Sequence, residues 1–355
     1  MGIVGLPNVG KSTFFNLLCD MHVPADNYPF CTIDPHLSKV PVPDERFDHL
    51  VATYKPKSVM PAVLTVTDIA GLVKGAAEGA GLGNAFLSNI QAVDGIFHVC
   101  RAFSGDEVTH VEGRVDPVAD LEIIHNELRL KDLGIVTAQV DAKRKNVERG
   151  MGGKEGKEEF MALEKAQAWL ATGKDIRQGD WTSGEVEWLN KLQLLTSKPM
   201  VYLVNLSEKD YIRKGNKFLE PLAAWVKARG QDDKMLPFSC EFEAKIFEMD
   251  KEGREAYLKE KATKSAMARI IKIGYHALHL CHFFTAGPDE VRAWTVKQGS
   301  PAPIAAGTIH TDFTKNFIAA EVFTYDDWKA EGASEANVKS AGKYHTKGKL
   351  YEVQE

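Results

Sequence analysis

The apolar residues of this chain fall into short runs separated by turn-forming residues, and the period within each run predicts its conformation. Gly2-Ile3-Val4, Pro61 to Thr67, Ala92 to Cys100 and Pro199 to Asn205 are strand-length and largely apolar, as strands buried on both faces of a parallel sheet should be. From Thr13 to Cys19 the pattern predicts a helix opening directly from a glycine-rich turn. Further along, Leu121, Ile124, Leu128 and Leu130 recur at helical spacing, and a charged run, Lys143-Arg144-Lys145 with Arg149, follows. The break from Gly150 to Gly156 then precedes a second helical run, Glu158 to Leu170, so the two helices should form an antiparallel arm. The most apolar long stretch, Ala268 to Ala286, contains Arg269, Lys272 and three histidines, which predicts a buried or half-buried helix rather than a membrane span. Glu290 to Lys297 and Asn316 to Thr324 alternate as strands and predict a small mixed domain at the C-terminal end.

The turn after Val4 carries the chemistry. Gly5-Leu6-Pro7-Asn8-Val9-Gly10-Lys11-Ser12 has the spacing G-x-x-x-x-G-K-S of a phosphate-binding loop between a strand and a helix. Backbone N–H groups from Asn8, Val9, Gly10, Lys11, Ser12 and Thr13 are expected to wrap the phosphates of a nucleoside triphosphate. Lys11 should reach the β/γ oxygens, and the Ser12 hydroxyl should hold Mg²⁺. A strand ending in Asp68-Ile69-Ala70-Gly71 follows, which in switch-type P-loop enzymes places an Asp near the Mg²⁺ shell and a Gly N–H at the γ-phosphate; Asp68 and Gly71 are the candidates. Between the two motifs, Thr32 in a proline-rich loop is a candidate Mg²⁺ ligand. Leu72 stands where many GTPases place the Gln that orients attacking water, and Leu cannot do so by hydrogen bonding.

The base should be read after the strand ending at Asn205. GTP-specific proteins place Asn-Lys-x-Asp there, with the Asp accepting guanine N1–H and N2–H₂. Here the residues are Asn205-Leu206-Ser207-Glu208. The longer Glu208 displaces the carboxylate and Leu206 offers only apolar cover, so adenine is the expected base. Ser239, in Met235-Leu236-Pro237-Phe238-Ser239-Cys240-Glu241, has the place of the last base-contacting loop.

A chain of 355 residues with 44% hydrophobic and 26% charged content has the composition of an ordinary globular protein of two or three domains. Its five cysteines contain no C-x-x-C pair and fit reduced thiols in the cytoplasm. A net charge of −5 argues against indiscriminate nucleic-acid binding but permits a local basic patch such as the arm tip. His276, His279, Cys281 and His282 cluster in sequence, but one helix spreads such positions too widely for a zinc site.

Gly2 to Asn16, Tyr28-Pro29-Phe30-Cys31-Thr32-Ile33, Asp68 to Gly75, Asn205 to Glu208 and Phe283 to Trp294 together resemble the Obg-like ATPase, or YchF, subfamily of Obg-related P-loop NTPases, and the resemblance covers nearly the whole chain. It implies an α/β fold in which residues 1–115 and 196–282 form a split G-domain with a mostly parallel sheet. Residues 116–195 then form the inserted helical arm, and 283–355 a C-terminal β-grasp domain like the TGS module. It further implies an ATPase with weaker use of GTP, associated with the ribosome or RNA through the arm and the TGS-like domain. His110 is the family-like candidate to activate water, and Asn8 is a candidate ligand for a K⁺ ion that supplies the charge an arginine finger gives elsewhere. A GTPase, or a nucleotide-gated RNA- or protein-binding module with only slow hydrolysis, are the alternative readings. Relative to the family, both ends of the chain read as clipped.

Overall fold

The apolar runs around Ile3, Leu64, Phe97 and Tyr202 become neighbouring strands of one sheet in a computed structural model, which describes residues 1–20, 37–69, 89–103, 115–151, 153–230 and 233–355. In chain order the first strands are β1 (Gly2–Val4), β2 (Leu37–Pro41), β3 (Ser58–Met60), β4 (Val63–Asp68), β5 (Ile96–Arg101), β6 (Met200–Asn205) and β7 (Lys234–Phe238). The remainder are β8 (Leu280–Ala286), β9 (Glu290–Lys297), β10 (Ala320–Val322) and β11 (His345–Lys347). Two compact units emerge: one takes in residues 1–20 and 66–270, the other residues 39–65 and 271–355.

The six-stranded sheet has the order β2-β4-β1-β5-β6-β7. Strand β1 is parallel to both β4 and β5, and the parallel pairing continues through β6 to β7. Every residue of β5 and of β6 is buried, including His98, Arg101 and Asn205, which is why these strands read as largely apolar runs rather than alternating ones. The helix Lys11–Asp20 leaves the turn after β1, and its Phe14 ring packs edge-on against Phe97 and Phe238 of the sheet. Because β1 lies between β4 and β5, the turn after it opens at the carboxyl edge where the strand order changes direction, the place where sheets of this kind bind ligands.

The arm is inserted between β5 and β6. Its first helix, Pro117–Glu148, starts with Asp116 accepting from the Ala119 N–H and with proline at the first helical position, where the missing N–H costs nothing. At about 1.5 Å per residue it runs roughly 48 Å. The chain turns back through Gly150, whose φ of +70° favours glycine, into the helix Gly153–Ala171. Antiparallel packing follows from the pairs Lys143–Glu159, Thr137–Gln167 and Arg129–Leu170. Val136, Val140, Leu163, Ala166 and Leu170 form its core with Ile176, Leu189 and Leu194. The second helix begins earlier than Glu158, because the glycines predicted to break it are followed by helix-forming Lys154 and Glu155.

At the root of the arm, polar groups are buried together. Asp175 faces His125 of the first arm helix at 3.3 Å and pairs with Arg229. The His125 ring meets the Tyr202 hydroxyl of β6 at 3.0 Å, and Arg177 pairs with Asp233. Asp132 accepts from the Leu195 and Thr196 N–H groups and from the Thr196 hydroxyl.

In the second unit β9 pairs in parallel with β3 and antiparallel with β8, while β10 and β11 form a separate antiparallel pair. Trp328 is fully buried and stacks on Tyr54 at 5.9 Å. Two expectations are corrected here. The apolar stretch Ala268 to Ala286 is not one helix: the helix Met267–Ala277 ends, His279 takes a φ of +54°, and Leu280–Ala286 becomes β8, paired along its length with β9. Periodicity alone does not separate a buried strand from a buried helix, and here cross-strand pairing decided. Likewise, of Asn316 to Thr324 only Ala320–Val322 is strand; Asn316 closes the helix Thr311–Asn316, which His310 caps by accepting from the Asp312 N–H. Among the described residues no helix is long and apolar enough to cross a membrane.

Candidate nucleotide site

The turn between β1 and its helix uses two residues with positive φ, Asn8 at +62° and Gly10 at +103°. Glycine is required at the second: a Cβ on Gly10 would stand 2.5 Å from the Asn205 side-chain nitrogen. The first-turn N–H groups of the helix Lys11–Asp20 have no partners within the helix, so with the helix dipole they form an anion-binding end. Lys11 is buried and its ammonium donates to the Leu6 carbonyl at 2.8 Å. Burial lowers its pKa to about 8, against the opposing pull of the Asp68 carboxylate. The Ser12 hydroxyl donates to Asp68 at 3.4 Å, from the end of β4 where Asp68 pairs with Ile3. A hydroxyl and a carboxylate this close are both hard oxygen donors suited to one Mg²⁺ ion.

Asn205 ends β6 beneath this turn. Its amide nitrogen donates to the Val9 carbonyl at 3.0 Å, and its amide oxygen accepts from the Cys240 N–H at 3.0 Å. Val9 itself is buried. Leu206 is also buried, its N–H donating to the Phe238 carbonyl. Ser207 caps the short helix Glu208–Ile212 by accepting from the Asp210 N–H. The Glu208 carboxylate accepts from the Lys245 ammonium at 2.8 Å and from the Tyr257 hydroxyl, and these two bonds hold its pKa below the ordinary glutamate value. Ser239 is fully buried and caps the helix Cys240–Phe247, accepting from the Phe242 N–H.

Together these elements enclose a cleft of about 420 Å³ lined by Asn8, Gly10, Lys11, Ser12, Thr13 and Asn205 on the loop side, with Leu206, Ser207, Phe103, Cys240 and Glu241 opposite. That volume falls in the range of small-molecule sites. Of the described residues chosen from sequence, Val9, Ser239, Glu208 and Asp68 do not line it: the first two support its wall, the third faces Lys245 and Tyr257, and Asp68 accepts from the Ser12 hydroxyl. Thr32, Gly71 and His110, with Leu72, lie outside the described residues. Phe103 was not named from sequence; Ser207, Cys240 and Glu241 stood inside the base-reading motifs but were given no role of their own. Cys240 and Glu241 follow Ser239 directly, and Phe103 follows β5 by two residues, so only their proximity to motifs pointed to them.

The chain is similar to known proteins in sequence and in fold. A family model described as a 50S ribosome-binding GTPase matches residues 1–137, and a YchF GTPase C-terminal model, described as a protein of unknown function, matches residues 280–355. Obg-like ATPase 1 of Gallus gallus is 56% identical over 357 residues, covering 100% of this chain and 90% of that protein. Obg-like ATPase 1 of Homo sapiens is likewise 56% identical, with the same coverage. The structure of the Schizosaccharomyces pombe YchF GTPase superimposes with a TM-score of 0.90 at 48% identity, covering 99% of this chain and 94% of that one.

Proposed function

The chain belongs to the Obg-like ATPase (YchF) family of P-loop NTPases, and from that membership we propose that it hydrolyses the β–γ bond of ATP in preference to GTP, as a nucleotide-dependent switch associated with ribosomes in the cytoplasm. The observation that carries the base preference is the engagement of Glu208. To read guanine, a carboxylate at this turn must accept both N1–H and N2–H₂. The Glu208 carboxylate faces Lys245 and Tyr257 and does not line the cleft, and the Leu206 side chain offers no polar group. Guanine's N1–H and N2–H₂ would then find no acceptor in the Asn205–Glu208 turn, and a polar edge left without its partner discriminates between bases.

In this reading the amides from Asn8 to Thr13 hold the phosphates, and Lys11 neutralises charge on the transferring phosphoryl group. Ser12 and Asp68, with Thr32 as the third ligand expected from sequence, would hold Mg²⁺, which would supply positive charge to the transferring phosphoryl group. From sequence, Gly71 would supply an N–H to the γ-phosphate, His110 would position the attacking water, and Asn8 would offer its side-chain oxygen to K⁺. The arm, with Lys143, Arg144, Lys145 and Arg149, and the TGS-like C-terminal domain are the surfaces for ribosome or RNA contact, a reading that draws on the description of the matching family model. Leu72 favours a second reading, in which occupancy sets the arm and the C-terminal domain while hydrolysis is only a slow reset.

Calorimetric titration of the Mg²⁺-loaded protein with ATP and with GTP tests the preference. A tenfold or larger advantage for ATP, about 1.4 kcal/mol, is expected, and equal or GTP-favoured binding refutes it. The pair Leu206→Lys and Glu208→Asp should raise GTP affinity relative to ATP. Co-sedimentation with ribosomes in the presence of an ATP analogue tests the association.

A further inference from the structure

We propose that His125 is the toggle of a two-position hydrogen-bond relay joining the arm to β6: in one position it accepts from Arg229 and donates to Tyr202, and in the other it donates to Asp175 and accepts from Tyr202. The inference goes beyond the nucleotide cleft and holds whichever base that cleft takes.

One ring nitrogen of His125 has two claimants. Its Nδ1 lies 2.9 Å from Nη2 of Arg229, which only donates, and 3.3 Å from Oδ2 of Asp175, which as a carboxylate only accepts. A neutral imidazole carries one proton, so Nδ1 serves one claimant at a time. Nε2, 3.0 Å from the Tyr202 hydroxyl, takes the opposite role, and a hydroxyl can follow either way.

The shorter of the two distances is that of the first position, in which Nη2 of Arg229 spends one hydrogen on His125 and the other on Asp175. Tyr202 is then left with the Met200 sulfur, 3.8 Å away and a weak acceptor, for its own proton. The second position gives that proton an imidazole nitrogen and gives Asp175 a new donor, at the cost of the Arg229 bond. Unspent capacity favours such an exchange: Oδ1 of Asp175 and Nε of Arg229 are both buried without a partner.

The ring is faced by His98 from β5, by Tyr202 from β6, by Trp225 and Arg229 from the helix Leu219–Arg229, and by Asp175 and Arg177 at the short helix Ile176–Gln178. Burial lowers its pKa against the pull of Asp175, so it is uncharged at neutral pH; once protonated in acid, it donates to Asp175 through Nδ1. Arg229 is the last residue of its helix, and Trp225, one turn earlier, donates to Glu122 of the arm. A shift that withdraws Arg229 is therefore registered by His125 and passed to Tyr202, on the strand that ends in Asn205.

Two-bond ¹H–¹⁵N spectra of the full chain, labelled at its histidines, show which ring nitrogen carries the proton, and the His125 signals are those missing from His125→Asn. At neutral pH the wild-type ring should be protonated at Nε2. Arg229→Met and Arg229→Ala, which remove the donor, should move the proton to Nδ1, and one folded variant of the two suffices. Arg229→Lys, which restores a donor, should return it to Nε2. A wild-type ring protonated at Nδ1 overturns the proposal, and so does a ring still bare at Nδ1 once Arg229 is gone, as a merely structural role for His125 would give.

Discussion

The side chain of Asn205, at the end of β6, donates to the backbone carbonyl of Val9, 196 residues earlier, at 3.0 Å. With its oxygen on the Cys240 N–H, this one amide ties the phosphate loop to the loop after β7. Gly10 packs directly over it. Asn205→Ala should leave a buried N–H and a buried carbonyl without partners and cost about 1–3 kcal/mol of stability. Gly10→Ala should cost at least as much, since the new methyl collides with Asn205 and φ is positive. The two changes made together should cost less than their sum, because Asn205→Ala removes the atom in collision. Urea unfolding of the four proteins in a double-mutant cycle measures the difference, and simple additivity would remove the packing argument.

Removing the cation, or one oxygen that holds it, should separate binding from turnover. Chelation of Mg²⁺ should abolish phosphate release, and Ser12→Ala should lower kcat/KM by about a hundredfold or more while raising the Mg²⁺ concentration needed for half-maximal rate. A Ser12→Ala protein with unchanged Mg²⁺ dependence would place the cation elsewhere.

His110→Ala should lower kcat by about a hundredfold, the lower end of what a positioned acid–base group contributes. Its affinity for ATP, measured by titration, should stay as in the wild type. Undiminished turnover would end the candidacy of His110.

The buried cluster at the arm root predicts acid sensitivity. Burial pushes the Asp175 carboxyl up, but hydrogen bonding and charge from His125, followed by the Arg229 charge, outweigh it and leave its pKa at about 2, below the ordinary 3.8. A lowered carboxyl pKa means that the folded state releases this proton more readily than the unfolded chain. The contribution is therefore complete above pH about 4 and is lost as pH falls from there toward 2. Its size is about 2 kcal/mol. At neutral pH, Asp175→Asn should cost about 3–5 kcal/mol, because it leaves Arg229 buried beside a neutral amide. Urea midpoints taken between pH 6 and 3 should fall less steeply in the variant than in the wild type.

What was legible in the sequence was what is encoded locally. Gly5 to Ser12 fixes a loop by spacing alone, and the largely apolar strands announce a parallel sheet. Contacts between distant residues were not legible. Glu208 meets Lys245 and Tyr257 across 37 and 49 residues, so that carboxylate looked available to a base. The split of Ala268 to Ala286 into helix and strand was hidden for the same reason: β8 is fixed by its pairing with β9, and the reversal at His279 bears no glycine or proline to mark it.

The insertion of the arm also sets an order of events during synthesis. Strands β5 and β6 pair residue for residue from Ile96–Met200 to Arg101–Asn205, yet their nearest ends are far apart along the chain. At translation rates of about 5–20 residues per second, roughly 100 residues of intervening chain keep β5 waiting about 5–20 s for its partner. The arm, whose two helices face one another across short sequence distances such as Lys143 to Glu159, completes itself in that interval. A largely apolar strand left open on one side is where a nascent chain aggregates. The newly folded arm is therefore the first structure made after β5 that can shield it, and shortening the arm would be felt in yield before it was felt in catalysis.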